Sequence, residues 1–273
     1  MSCPDEVARC CELHERAAFQ DCVEGCVVAE GNPLGAEVAW AGETPVPIVA
    51  HLDFALFNRV VALGVDAVAS AERVEAICSL YQGRGQRNWT ISVSPLAQPA
   101  DLGVTVERNG LQAASEVAKV VRATQNAPTA ETDLRVEQVG AEFADQFASV
   151  AVAAFGVPEV FSSWFRGTFN RPGWRHYIGF DDSQAVATGA LHVEKDFGWL
   201  TFGATLPSHR RRGGQSAIMA RRIHDAAALG CRFVHTETGA DTAANPNSSY
   251  RNMLRSGFQL AYLRTEYTTS RAR

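Results

Sequence analysis

Bulky and small residues alternate from Trp199 to Leu206, the pattern of a strand, and Pro207 ends its pairing because it has no N–H to donate. From Ser216 the period changes. Met219, Ala220, Ile223, Ala226 and Ala227 recur at helical spacing, opposed by Arg221, Arg222 and Asp225, and Gly230 closes the run. Between strand and helix lies a loop, Pro207 to Gln215, with consecutive arginines and a pair of glycines. The alternation of strand-like and helix-like text runs from about Ala36 to Arg122 and again from Leu134 onward, and the polar segment Ala123 to Asp133 divides the two. Ahead of both, the first residues read as an amphipathic helix that uses Cys as a small apolar side chain.

The two stretches share an order of landmarks. Each has an aromatic strand ending in Leu63-Gly64 or Phe202-Gly203, a helix ending at Gly85 or Gly230, another strand, and then Arg108-Asn-Gly-Leu-Gln112 or Arg255-Ser-Gly-Phe-Gln259. That order reads as an internal duplication. Most of the extra length of the second copy falls between its strand and its helix, where the Arg/Gly loop lies and the first copy has only Val65 to Glu72. The chemistry is therefore expected in the second half.

Composition narrows the class. The chain has 273 residues, 46% of them apolar and 20% charged, with 25 Lys and Arg against 30 Asp and Glu for a net charge of −5. At roughly 100–200 residues per domain this allows one large domain or two moderate ones and excludes disorder, collagen and coiled coil. No apolar run approaches the roughly 20 residues of a membrane helix, and Asp5 and Glu6 stand where a leader would be basic. The expectation is a soluble cytoplasmic protein with no membrane partner. Seven cysteines, with Cys3, Cys10, Cys11, Cys22 and Cys26 crowded at the start, form no spaced disulfide framework and read as reduced thiols. Cys10, Cys11 and His14, or Cys22 and Cys26, have spacings that bring ligands to one helix face, but paired C-x-x-C knuckles are missing and no metal is expected.

The strand, Arg/Gly loop and helix together make an anion site. First-turn N–H groups lack intrahelical partners, the helix dipole is positive there, and Gly213-Gly214 lets a ligand approach the backbone. Arg210, Arg211 and Arg212 add charge, so a phosphate or pyrophosphate is the natural guest. A solvated basic turn is the plain alternative. Three arginines in an acidic chain make no basic stripe, so no nucleic acid is expected, and neither G-x-x-x-x-G-K-[ST] nor G-x-G-x-x-G is present.

The loop Arg210-Arg211-Arg212-Gly213-Gly214-Gln215 resembles the acyl-CoA loop of the GNAT superfamily of N-acyltransferases, [Q/R]-x-x-G-x-[G/A]. The resemblance runs from Leu134 to about Arg264. It covers a first strand (Leu134 to Val139), two helices (Ala141 to Ala154, Pro158 to Phe169), an antiparallel run (Trp174 to Phe180, Ala185 to Val193, Trp199 to Leu206), the loop and its helix, a strand (Phe233 to Glu237), a helix (Asn247 to Arg255) and a closing Gly257-Phe258 strand. Tandem members with a degenerate first half exist in that superfamily, and Thr236-Glu-Thr-Gly239 and Asn252-Met-Leu-Arg-Ser-Gly-Phe258 look like theirs. Gln215 departs from the pattern, standing where the family has Gly or Ala.

The resemblance implies a mixed-sheet α/β fold in two GNAT-like domains, a degenerate one over 1–128 and one with the acyl-CoA site over 129–273. It implies acetyl-CoA as co-substrate, a primary amine of a small molecule as acceptor, and direct attack without a covalent enzyme intermediate. Gly203 is the candidate bulge. The backbones of Ala204, Thr205 and Leu206 would hold the pantetheine and thioester, residues 210–216 up to Ser216 the diphosphate, and Asn247 would cap its helix and touch the CoA arm. Where some members carry a basic Glu, eleven residues before Arg210, this chain has Trp199; Glu237 is the remaining carboxylate candidate, with His235 two residues earlier on the same face. The position of the family's acidic Tyr is Met253 here, and Tyr250 lies one helical turn earlier. Phe161, Trp164 and Phe165 read as core or as acceptor pocket, with Trp164 the candidate contact. Two other readings stand beside this one: a CoA-binding module without turnover, and an acyltransferase for a protein- or carrier-bound acceptor docked by the first half. A homodimer stays open.

Overall fold

A computed structural model describes residues 4–29 and 31–269 of the chain, so Cys3 lies outside the described residues. The chain divides into two compact units that are not contiguous in sequence: one comprises the residues up to Val120 with Glu237–Arg251 and those from Leu260 on, the other Val121–Thr236 with Asn252–Gln259.

The first unit begins with α1 (Asp5–Val27), whose first turn carries Asp5 and Glu6 at the positive end of the dipole. Its buried stripe runs through Ala8, Cys11, Ala18, Cys22, Val23 and Cys26 at helical spacing, so these cysteines are core residues as the amphipathic pattern implied. The same stripe includes Glu12 and Glu15, both fully buried. A hairpin of β1 (Ala36–Ala41) and β2 (Thr44–Val49) follows, then β3 (Arg59–Val60), α2 (Ala71–Gly83), β4 (Thr90–Val93), α3 (Leu102–Arg108) and β5 (Gln112–Ala123), the last three residues of which fall in the second unit. Strands β3 and β4 are parallel, and Val74, Ile77, Tyr81, Trp89, Ile91 and Leu102 form the core beneath them. Gly64 at φ +79° is required where it stands, because a Cβ there would meet the backbone oxygen of Gln98 at 2.8 Å.

The second unit holds β6 (Arg135–Val139), α4 (Ala144–Phe155), α5 (Ser162–Arg166), β7 (Trp174–Asp181), β8 (Gln184–Glu194), β9 (Phe197–Thr205), α6 (Gly214–Ala228), most of β10 (Phe233–Gly239) and the end of α7 (Ser248–Arg255). Its strand order is β10-β9-β8-β7-β6, antiparallel from β6 to β9 and parallel between β9 and β10. The expected helix over Pro158 to Phe169 is shorter and broken: a 3₁₀ turn at Glu159–Phe161 precedes α5.

The final strand, β11 (Gln259–Thr268), pairs antiparallel with β4 and lies between β4 and β5 in the first unit. Both copies of the landmark pattern therefore have parallel strands flanking a helix (β3 and β4; β9 and β10), and the glycines after the helices, Gly85, Gly110, Gly230 and Gly257, are all left-handed.

Two placements differ from the periodicity. Arg222 belongs to the buried stripe of α6, with Ile218, Met219, Ile223 and Ala226, and not to the polar face with Arg221. The stripe of α1 carries its acids inward because their partners are buried too: Glu15 accepts from Arg59 at 2.9 Å, from Arg264 at 3.1 Å and from Lys119, and Glu12 accepts from Arg264 at 3.0 Å and the Tyr262 hydroxyl at 2.7 Å. Burial alone would raise the Glu15 carboxyl, but Arg264, Lys119 and Arg59 outweigh it and hold it well below the usual carboxylate range. A depressed carboxyl contributes its full stability above its unfolded pKa of about 4.3, and that stability declines from there and is lost as pH falls through the lower folded value. Glu15→Gln is expected to cost about 3–5 kcal/mol, because three buried cations lose their shared anion. Urea unfolding at pH 7 and pH 4 measures it: wild type is less stable at the lower pH, and the variant loses part of that pH dependence.

Candidate functional site

The antiparallel register of β8 and β9 runs cleanly from Glu194↔Phe197 to Ala190↔Thr201 and then resumes at Thr188↔Ala204. Phe202 and Gly203 thus face Gly189 alone, which is a bulge. Its left-handed residue is Phe202 at φ +53°, not the expected glycine, and the Thr188 hydroxyl donates to the Phe202 carbonyl at 3.0 Å. On the other edge, β9 pairs in parallel with β10 only as far as Trp199↔His235; one residue further the link is a side chain, the Thr236 hydroxyl donating to the Leu200 carbonyl at 2.7 Å. The C-terminal half of β9, including Ala204 and Thr205, departs from its parallel neighbour.

Leu206 and a 3₁₀ turn at Pro207–His209 lead into the arginine loop. Arg210 is extended, with its Nε donating toward the Thr205 carbonyl at 3.4 Å; Arg211 and Gly213 are left-handed at φ +66° and +77°, and α6 starts at Gly214. The first intrahelical bond runs from the Ala217 amide to the Gly213 carbonyl, so the amides of Gly214, Gln215 and Ser216 precede the ladder. Alternating left-handed residues ahead of a helix turn successive amides inward, an anion-binding arrangement.

Arg212 is not aimed at that hollow. Its guanidinium is shared between Asp181, at 2.6 and 3.0 Å, and Asp133, at 2.5 to 3.1 Å. Hydrogen bonds from Arg212 hold both carboxyls below their usual range, and the guanidinium is raised in turn. The segment before β6 takes part in the loop itself: the Thr132 hydroxyl donates to the Arg212 carbonyl at 2.7 Å, and a Cβ at Gly213 would collide with the Glu131 carbonyl. Residues 128–131, Gly213, Ser216, Asn252, Arg255 and Ser256 enclose a cavity of about 280 Å³ at the start of α6.

The residues expected to act are brought together unevenly. Ala204, Thr205, Leu206 and residues 210–216 all belong to the second unit, with Ala204 and Thr205 buried and Arg210 and Arg211 exposed. Gln215, the departure from the motif, turns its amide to the Ala204 carbonyl at 2.5 Å and the Thr205 hydroxyl at 2.9 Å. Trp164 and His235 are 2% and 0% exposed, which leaves neither an open face for an acceptor. Glu237, Asn247 and Tyr250 belong to the first unit. Asn247 caps α7, its Oδ1 accepting from the Ser249 and Tyr250 amides at 2.9 and 3.1 Å. Glu237 meets a physical obstacle as a base: one oxygen accepts from Arg59 at 2.8 Å and the other from Arg264, so a proton taken there would displace two ion pairs. Tyr250 is half-buried. The pattern of the chain missed Asn252, whose Oδ1 accepts from Ser216 at 3.5 Å, and the wall made by residues 128–131, which read only as a linker. Among the described residues no group of three His, Cys, Asp or Glu is arranged to hold a metal ion.

Residues 141–258 match the acetyltransferase (GNAT) family. Over that segment the chain is similar to a GNAT acetyltransferase domain. Its solved neighbours share the fold at low identity: a GCN5-related N-acetyltransferase from Kribbella flavida (TM-score 0.64, 16% identity, 93% of this chain and 94% of the other) and one from Sphaerobacter thermophilus (0.57, 16%, 72% and 66%). A tandem GNAT protein from the clavulanic acid biosynthesis pathway is similar over 79% of this chain and 76% of its own (0.55, 13%). No curated protein sequence matches the chain. The matched segment contains the bulged β9, the loop and α6. Gly213→Ala is expected to cost about 1–3 kcal/mol in urea unfolding, since it combines a left-handed φ with a backbone collision, and to open the cavity wall at residues 128–131, read as faster proteolysis of that segment.

Proposed function

We propose that the protein is an N-acetyltransferase that moves an acetyl group from acetyl-CoA to a primary amine of a small molecule by direct attack. The observation that carries the reading is the junction in which a strand leaves its parallel neighbour at a bulge and runs straight into an amide-lined loop at a helix start. The backbones of Ala204, Thr205 and Leu206 would take the pantetheine amide and thioester, and the amides of 211–216 the diphosphate, with Arg210 and Arg211 supplying charge. Arg212 serves by holding the loop to Asp133 and Asp181. The amine lone pair forms the C–N bond, the C–S bond breaks, the leaving thiolate takes a proton and the nitrogen's extra proton passes to solvent; the family resemblance implies Tyr250 as the donor, which solvent then reprotonates. Glu237 is assigned no proton-transfer step because both of its oxygens are engaged. Residues 1–128 are a degenerate copy of the same domain, supported by the shared order of parallel strands, helices and left-handed glycines.

Thiol release from acetyl-CoA in the presence of a panel of amines, with acetyl-CoA affinity measured by calorimetry, tests the proposal. Tyr250→Phe is expected to lower kcat by about 10²–10⁴-fold and leave acetyl-CoA affinity unchanged. Arg212→Glu, which sets a third acid beside Asp133 and Asp181, is expected to weaken acetyl-CoA binding about tenfold or more, the scale of lost charge-assisted contacts. Glu237→Gln should lower stability and spare the rate of the folded enzyme. The ion-paired state of Glu237 favours one second reading, a CoA-binding module without turnover; tight acetyl-CoA binding with no thiol released from any amine would establish that reading instead.

A further inference from the structure

Arg222 is the one side chain of the buried α6 stripe that carries a full charge, and among the described residues it forms no ion pair. Its Nη1 donates to the Ala190 carbonyl at 2.9 Å and to the Thr201 carbonyl at 3.0 Å, and its Nε to the Ile218 carbonyl at 3.3 Å. Ala190 and Thr201 are register partners, the last pair before the β9 bulge. Gly189, the residue opposite the bulge, makes the room: a Cβ there would lie 2.9 Å from the guanidinium carbon. Burial of a guanidinium without a carboxylate is costly, and an apolar side chain of similar volume would avoid that cost. What an apolar side chain lacks is a planar set of donors able to bridge two strands. Burial brings the Arg222 guanidinium down to about 10, so it remains a cation at neutral pH.

The far side of the bulge is tied to the same helix. Gln215 lies two turns before Arg222, hence on nearly the same face, and its amide donates to the Ala204 carbonyl at 2.5 Å and the Thr205 hydroxyl at 2.9 Å. Positions 203 and 189 close the space between: a Cβ at Gly203 would lie 3.1 Å from the Gln215 amide oxygen and 3.7 Å from Arg222 Nη2. Phe202 is held independently, its ring stacked on Trp174 at 5.8 Å and edge-on to Phe165 at 5.2 Å.

We propose that Arg222 and Gln215 are positioning residues that grip the β9 bulge from either side, so that the helix whose first turn would hold the diphosphate also sets where the thioester-binding edge of β9 lies. The inference rests on the acyl-CoA reading of this site. An α-helix is stiff along its axis, so the two ends of a ligand as long as an acyl-CoA would be read against a single fixed element. The two grips act on the thioester end and not on the diphosphate end.

The test compares acetyl-CoA with 3′-phospho-ADP, the nucleotide half alone, by calorimetry on the full-length wild type, Arg222→Met, Arg222→Lys and Gln215→Ala. Wild type is expected to bind acetyl-CoA more tightly than the fragment. Arg222→Met and Gln215→Ala should lose about tenfold or more of acetyl-CoA affinity and of kcat with the best amine, a scale set by displacement of a reacting group by about 1 Å, while fragment affinity stays within about twofold. Arg222→Lys, which keeps the charge but replaces the planar fork with a single ammonium nitrogen, should fall between. Hydrogen exchange of the 201–205 amides should speed up in both loss variants relative to the rest of β9. If the variants match wild type for both ligands, or lose both equally with unchanged exchange at 201–205, the grip is overturned and the acyl-CoA reading survives. If wild type binds neither ligand, the acyl-CoA reading itself falls and the grip with it. Should Arg222→Met fail to fold, Gln215→Ala and Arg222→Lys decide by the same comparison.

Discussion

Two β-strands that remain in register use up each other's backbone hydrogen bonds, and a ligand can pair with a strand only where that register stops. In this protein it stops after Trp199↔His235, and the bulge at Phe202-Gly203 turns the rest of β9 away. The proposed acyl-donor surface rests on that break. The released strand ends in Thr205, the loop begins at once, and the left-handed residues at 211 and 213 deliver the chain into a helix with its amides unspent. A bulge in the middle of a sheet needs support, and here it comes from packed aromatics around Phe202 and from polar side chains of α6 at the carbonyls on either side.

Charge is used in two distinct ways in the molecule. In the first unit Glu12, Glu15, Arg59, Lys119, Arg264, Glu237 and Glu266 form one buried network in which nearly every oxygen faces a cation, and it binds α1, β3, β5, β10 and β11 to one another. Such a network specifies pairing more than it adds net stability, since each ion loses its hydration on entry. It also accounts for Glu237: a carboxylate held between two guanidiniums is an anchor for the end of β10. In the second unit the exposed arginines divide the work, with Arg212 neutralised by Asp133 and Asp181 to shape the loop while Arg210 and Arg211 leave the local charge positive.

After α7 the chain returns as β11 to lie between β4 and β5. β3 and β4 are parallel with α2 between them in the chain, β9 and β10 are parallel with α6 between them, and β11, from the end of the chain, pairs within the first unit. A linear boundary near the polar segment 123–133 describes the repeat in the text of the chain. The compact units follow strand pairing, which crosses that boundary.

Local periodicity and a six-residue motif were enough to read the segment similar to the GNAT family, the succession of strand, loop and helix through β9 and α6, the bulge at position 203 to within one residue, the helix cap at Asn247 and the core role of the α1 cysteines. Those features are encoded over a few turns or strand residues, where side-chain spacing and turn chemistry act directly. The direction of Arg222, the inward acids of α1, the ion pairs that occupy Glu237 and Arg212, the closed faces of Trp164 and His235, and the cavity wall at residues 128–131 depend on groups far away in the chain. A charge on a helix is read as exposed until a partner is found for it, and whether that partner is a guanidinium 249 positions away, as for Glu15, or a strand carbonyl beside a bulge, as for Arg222, is decided only when the strands have paired.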